Sequence, residues 1–382
     1  MVWYCRFSLC EKKVHSRPFR RAKRDNCRIP RATGTLRHRI RPPHSLRHTM
    51  TRQLLALLLL SSTAVACNIP VFRYALERWT ADPVEVLVFH RGELAPDHLQ
   101  QVQNWQDIAA DRSRANLQVV LQDVTAFNTT APGSDAAARR DIWLGLPESS
   151  RKQLPCVVAR SRHGRGQIIN HWVSPLAEAA ARLASSPVRT ELIRRLQRGD
   201  AVVWLLVHPP QADQKKQAAV KTLLEDQCRK LPDLLELPEG IGLPGSELFS
   251  EIPLLLKFSV LELHGDDPQE AWLVRQLSGV QPDAWSAGET LVVPVFGRGR
   301  ALEVIPSGRL TTDLVHDLSQ FLCSACSCQV KEQNPGFDLL LQTNWNDVLF
   351  GEDGELPPPP EPGARAQNAP PNLLPIPPGR KQ

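Results

Sequence analysis

Residues 84–90 read VEVLVFH and residues 201–208 read AVVWLLVH. Each is a short run rich in Val and Leu, of a length suited to a buried strand. The segments downstream of each run repeat in the same order. After the first run, the pattern predicts a helix over Pro96–Arg112, with Leu99, Val102, Ile108 and Ala109 on one side. A strand comes next at Leu117–Val124, then a helix at Ser134–Leu146, a strand at Pro155–Ser161, a turn at His163–Gly166 and a strand at Gln167–Val173. A helix over Leu176–Arg198 closes the series, interrupted at Pro187. After the second run come a helix over Gln214–Leu231, a strand over Pro253–Leu263 and a short helix over Gln269–Leu277. Then come a strand at Thr290–Phe296, a turn at Gly297–Gly299, a strand at Arg300–Ile305 and a helix at Thr311–Leu322. Leu339–Leu341 and Val348–Phe350 are expected to add an edge element. Both series are βαβαββα. Strands alternating with helices pair in parallel through right-handed crossovers, and a closing hairpin makes each sheet mixed.

This order, with Leu154-Pro155 ahead of a strand, resembles the thioredoxin-like fold over roughly 84–198 and 201–323. The resemblance implies a cis-proline at Pro155. It also implies a thiol pair where the first strand meets the first helix, since the helix amides there stabilise a thiolate. The chain reads Phe89-His90-Arg91-Gly92-Glu93 at one such corner and Val207-His208-Pro209-Pro210-Gln211 at the other, with no cysteine in either. The fold without its thiols implies a binding or scaffold role and no catalysis. In the second series Pro294 lies inside the strand, away from the cis-proline position.

Residues 50–67, MTRQLLALLLLSSTAVAC, have the three parts of a secretory signal peptide: Arg52 in the n-region, the apolar run Leu54–Leu60, and Ala64-Val65-Ala66 as cleavage site. The apolar stretch is short of the ~20 residues that span a bilayer. Ala64-Val65-Ala66-Cys67 also resembles a bacterial lipobox, in which the cysteine is lipidated and becomes the new N-terminus. Both fates, lipid-anchored and freely secreted, stand open on these residues. The stretch CNIPVFRYALERW (67–79) is similar to the start of exported bacterial proteins. Export predicts a periplasmic, membrane-anchored or secreted location, with a membrane contact through the lipid and an envelope protein as partner.

The 382 residues are 42% hydrophobic and 23% charged, the composition of a globular protein, which excludes a multi-span membrane protein. The net charge of +6 divides unevenly. Residues 1–49 carry 14 Lys/Arg against Glu11 and Asp25, a balance of +12, whereas the rest carries 32 bases against 38 acids, a balance of −6. A nucleic-acid partner for the main body is therefore not expected. The chain divides into a basic leader without apolar periodicity (1–49, read as disordered or as upstream of a true start at Met50), a signal peptide (50–66), a first domain (67–199), a second (200–350) and a tail (351–382). Residues 357–382 hold ten prolines, so the tail cannot form helix or inner strand.

Nine cysteines are present. Cys156 lies in an expected strand and Cys228 on an apolar helix face, both suited to burial. Cys323, Cys326 and Cys328 fall within six residues after an expected helix, as CxxC overlapping CxC. Three thiols so close can form a disulfide, which an exported protein favours, or hold a soft metal such as Cu(I) or Zn²⁺. No resident cofactor is expected otherwise. His90 and His208 each end a first strand, and no carboxylate partner is placed beside either by the pattern.

Overall fold

The computed structural model describes residues 68–111, 114–129, 131–163, 167–183, 185–326 and 330–351. The leader, the signal peptide, Cys67, most of the His163–Gly166 turn, Cys328 and the proline-rich tail lie outside the described residues. The protein is a mixed α/β structure with two mixed sheets, both within one compact unit. Helix α1 (Val71–Arg78) precedes the first sheet. That sheet is built from β1 (Val84–His90), β2 (Leu117–Asp123), β3 (Cys156–His163) and β4 (Gln167–Pro175), in the order β2-β1-β3-β4. Strands β1 and β2 are parallel, and β3 runs antiparallel to both β1 and β4. Alternate residues of β1 serve the two faces. Val84, Val86 and Val88 pack against Val102 and Trp105 of α2 (Pro96–Ala110), whereas Leu87 and Phe89 pack against Phe127 and Trp143, the latter on α3 (Asp135–Gly145). A short helix α4 (Glu148–Lys152) leads into β3.

The second sheet contains β5 (Val202–His208), β6 (Phe258–His264), β7 (Leu291–Phe296), β8 (Arg300–Ala301), β9 (Ile305–Pro306) and β10 (Phe337–Asp338). Its order is β10-β8-β7-β5-β6, with β9 also on β7. Again β5 and β6 are parallel and β7 is antiparallel to β5. Every residue of β5 is buried. Val203, Leu205 and Val207 face one layer, where Leu192, Ile193 and Leu196 of α6 (Pro187–Gln197) and Leu273 and Leu277 of α8 (Ala271–Ser278) pack, with Ala284 and Trp285 of α9 (Pro282–Ser286) against them. Val202, Trp204 and Leu206 face the other, with Val71 and Phe72 of α1, Leu224 and Leu231 of α7 (Gln214–Leu234), and Val315 and Leu322 of α10 (Thr312–Cys323). Helix α5 (Leu176–Leu183) stays with the first sheet. The chain turns at Pro187, so α6 packs against strands β5 and β6, which come after it in the chain.

Most expected elements stand at their expected places, with three corrections. The strand expected over Pro253–Leu263 begins only at Phe258. Pro253 has no N–H for a ladder, and Lys257 spends its carbonyl on Ala201 N at 2.8 Å. The strand expected over Arg300–Ile305 is split into β8 and β9. Val295 pairs with Ala301 and Val292 with Ile305, so two residues of β7 face three of the returning chain, which is a bulge. Pro294 is the cause. Its carbonyl accepts from Leu302 N at 2.9 Å, so its donorless nitrogen points to the same side and the reciprocal bond is missing. The proline is tolerated in a central strand because that vacancy faces the bulge and not β5. Finally, the edge expected at Leu339–Leu341 and Val348–Phe350 is made by β10 at Phe337–Asp338 instead, and Val348–Phe350 belongs to α11 (Trp345–Phe350), capped by the Asn344 side chain.

Candidate functional site

The two first strands end alike in register and differently in chemistry. His90 pairs with Asp123 and His208 with His264. One residue earlier, Phe89 pairs with Cys156, the first residue of β3, and Val207 with Leu291, the first of β7. Pro155 and Thr290 therefore occupy equivalent places, each beside its histidine. The Leu154–Pro155 peptide is cis and is the one such bond among the described residues. At the first corner, half-exposed His90 gives its Nδ1 proton to Gly92 O, 2.8 Å away. Asp123 is held below the usual carboxylate range by the Thr125 backbone N–H and then the Thr125 hydroxyl. These bonds close a turn.

The second corner is buried and charged. His208 is 2% exposed. Its Nδ1 lies 3.1 Å from Thr290 Oγ1 and its Nε2 lies 3.3 Å from Glu262 Oε2. Lys221, on α7, is hydrogen-bonded to the other carboxylate oxygen. The His264 ring stands beside that of His208, centroids 5.3 Å apart. Burial lowers the His208 pKa against the pull of Glu262, while His264 lowers it further. Burial pushes Glu262 up, but the Lys221 bond and charge, with His208, leave it below the ordinary value. Gly265 makes this packing possible: a Cβ there would come within 2.8 Å of the Trp285 ring and 2.9 Å of His208 O. The sequence pattern leaves His208 without a carboxylate because Glu262 arrives from the neighbouring strand. The available signal is that Glu262 stands two residues before His264, the residue in register with His208.

The described cysteines of the cluster are buried. Cys323, at the end of α10, is fully buried, Cys326 is 2% exposed, and Cys228 of α7 shares their apolar cluster. Burial pushes the thiols of Cys323 and Cys228 up to about 12 and that of Cys156 up to about 11. Thiols held that high are poor nucleophiles near neutral pH. Cys326 N donates to Ile69 O at 2.9 Å and Val71 N to Ser324 O at 3.1 Å. The stretch just after Cys67 thus lies antiparallel along the stretch between Cys323 and Cys326. Among the described residues no three His, Cys, Asp or Glu side chains converge as they stand to hold a metal ion.

The arginine inside the Gly297–Gly299 turn and the one just after it are committed to structure. Arg298 donates to Leu76 O and Glu77 O, and Arg300 to Asp338 and the carbonyls of Asn334, Pro335 and Gly336. Arg300 also stands near a group that pattern reading misses. His163 and His171 bring their Nε2 atoms within 3.3 Å of each other, and Ser161 Oγ is 3.2 Å from the first and 2.6 Å from the second. Burial and then Arg300 lower His163 to about 4, and burial and then His163 lower His171 to about 3. The His163 ring stacks on Phe337 of the second sheet at 3.8 Å, so the pair sits where the two sheets meet. No family model, no curated protein and no solved structure matches the chain.

Proposed function

We propose that this chain is an exported protein of the cell envelope that binds or scaffolds without catalysis, built as two thioredoxin-like modules whose reactive corners carry histidine. It is either held at the membrane by a lipid on Cys67 or released after Ala66. The observation that carries this reading is the matched register: both sheets place first strand, parallel second strand and antiparallel third strand alike, and both put a histidine at the corner. The cis bond before β3 supports the same fold. Thiols raised to 11–12 in Cys156, Cys228 and Cys323 support a body without thiol chemistry. In this reading β8 and β9 together serve as the fourth strand. The test is intact mass of the mature protein from a bacterial envelope fraction, with an insulin-reduction assay. An N-terminal lipidated Cys67 or a cut after Ala66, with no disulfide reduction, is expected. A chain still starting at Met1, or catalysed reduction, overturns it.

A second reading is a thiol-redox or Cu/Zn protein working through Cys323, Cys326 and Cys328. What favours it is the lie of residues 69–71 along residues 324–326, which brings the chain next to Cys67 up to the cysteine cluster. Counting free thiols and bound copper or zinc on natively purified protein separates it from the first.

A further inference from the structure

His208 keeps one atom that a role in pinning strands leaves unexplained. Its Nε2 is buried 3.3 Å from Glu262 Oε2, and among the described residues no hydrogen bond of good geometry reaches it. A buried N–H without an acceptor costs more than an unfilled lone pair. We therefore assign the ring proton to Nδ1, donated to Thr290 Oγ1. Nε2 then presents a lone pair toward an ionised carboxylate oxygen, two acceptors face to face with no proton between them. A histidine whose other nitrogen is tied by a hydrogen bond in this way is in its ligand form.

We propose that His208 Nε2, Glu262 Oε2 and the His264 ring form a site for one divalent d-block cation of the zinc class. Two donors bound at 2.0–2.2 Å to a tetrahedral ion stand about 3.4 Å apart, close to the spacing already present between Nε2 and Oε2. Lys221 takes the other oxygen of Glu262 and leaves Oε2 available. His264 is exposed, shares a face of β6 with Glu262 and stands in register with His208, so rotation of its side chain brings the third nitrogen in. Two histidines and one carboxylate leave a fourth position to solvent, the arrangement of an open zinc site. The site lies at the carboxyl ends of the parallel pair β5 and β6, where open sheets receive ligands. It goes beyond the scaffold reading and uses none of the cysteines.

The experiment titrates the full untagged chain, stripped of metal by chelation, with Co²⁺ monitored by absorption, then displaces Co²⁺ with Zn²⁺. One equivalent bound, visible bands of a tetrahedral nitrogen–oxygen site without thiolate charge transfer, and affinity at least about tenfold weaker in His264→Ala and Glu262→Gln support the site. His264 is exposed, so His264→Ala decides the matter even if Glu262→Gln folds poorly. No stoichiometric binding, or binding unchanged in His264→Ala, overturns it. A near-ultraviolet thiolate band that persists in His264→Ala and disappears on alkylation also overturns it, in favour of the cysteines.

Discussion

Trp172 of β4 and Trp272 of α8 lie with ring centroids 5.9 Å apart and planes inclined by 21°, one from each half of the chain. The Arg275 guanidinium lies over the Trp172 ring, 4.0 Å from its centroid. Both indoles are almost fully buried, but the Trp272 Nε1 proton has no acceptor among the described residues. The stack contributes area and shape, whereas the unpaired N–H works against it. Trp272→Ala is expected to cost about 3–5 kcal/mol in urea unfolding. Trp272→Phe is expected to cost only about 1–2 kcal/mol, because it keeps an aromatic face and deletes the orphaned donor. A Phe variant as unstable as the Ala variant would refute this account.

The buried pair His163 and His171 makes stability depend on acid. Their folded pKa values, about 4 and about 3, lie below the ordinary 6.5. The unfolded chain therefore takes up protons first as pH falls. Stability is full above about pH 6.5, declines as pH drops toward 4, and its contribution is gone below about pH 3. For His163 alone the swing is on the order of 3 kcal/mol. His171→Gln, which can still bond to Ser161, should flatten the profile between pH 6 and 4 in chemical denaturation. An unchanged slope would show that the pair does not govern acid sensitivity.

Gly336 and Gly242 both have positive φ, +105° and +85°, in different surroundings. A Cβ on Gly336 would meet Ala301 O at 2.3 Å, a backbone atom in a paired strand, whereas nothing lies within 4 Å of one on Gly242. Gly242→Ala should cost about 1 kcal/mol, for the left-handed conformation alone. Gly336→Ala should cost more, on the order of 3 kcal/mol, because β10 must shift from β8. Melting curves of the two variants side by side provide the comparison, and equal losses would count against a steric cause.

Cys156, Cys228 and Cys323 should resist alkylation in the folded protein at pH 8 and react fully in denaturant. Burial holds their thiols at 11–12 and blocks access. Mass spectrometry after iodoacetamide labelling, with and without urea, reads this site by site. Rapid native labelling at Cys323 would contradict the packing of α10.

Local pattern was enough for the strands VEVLVFH and AVVWLLVH, the helices between them and the break at Pro187, because each depends on apolar spacing and on the missing N–H of proline. Those features are set by neighbours a few residues away. Other features come from partners distant along the chain, and no periodicity encodes them. Helix α1 joins the layer over β5 and β7, Glu262 comes to His208, Phe337 comes to His163, and Trp272 comes to Trp172. The division of Arg300–Ile305 was half visible, since Pro294 could be seen but the side to which its nitrogen points could not. Packing between elements far apart in the chain decided these contacts, because burying an aromatic or a histidine requires the opposite surface to exist first.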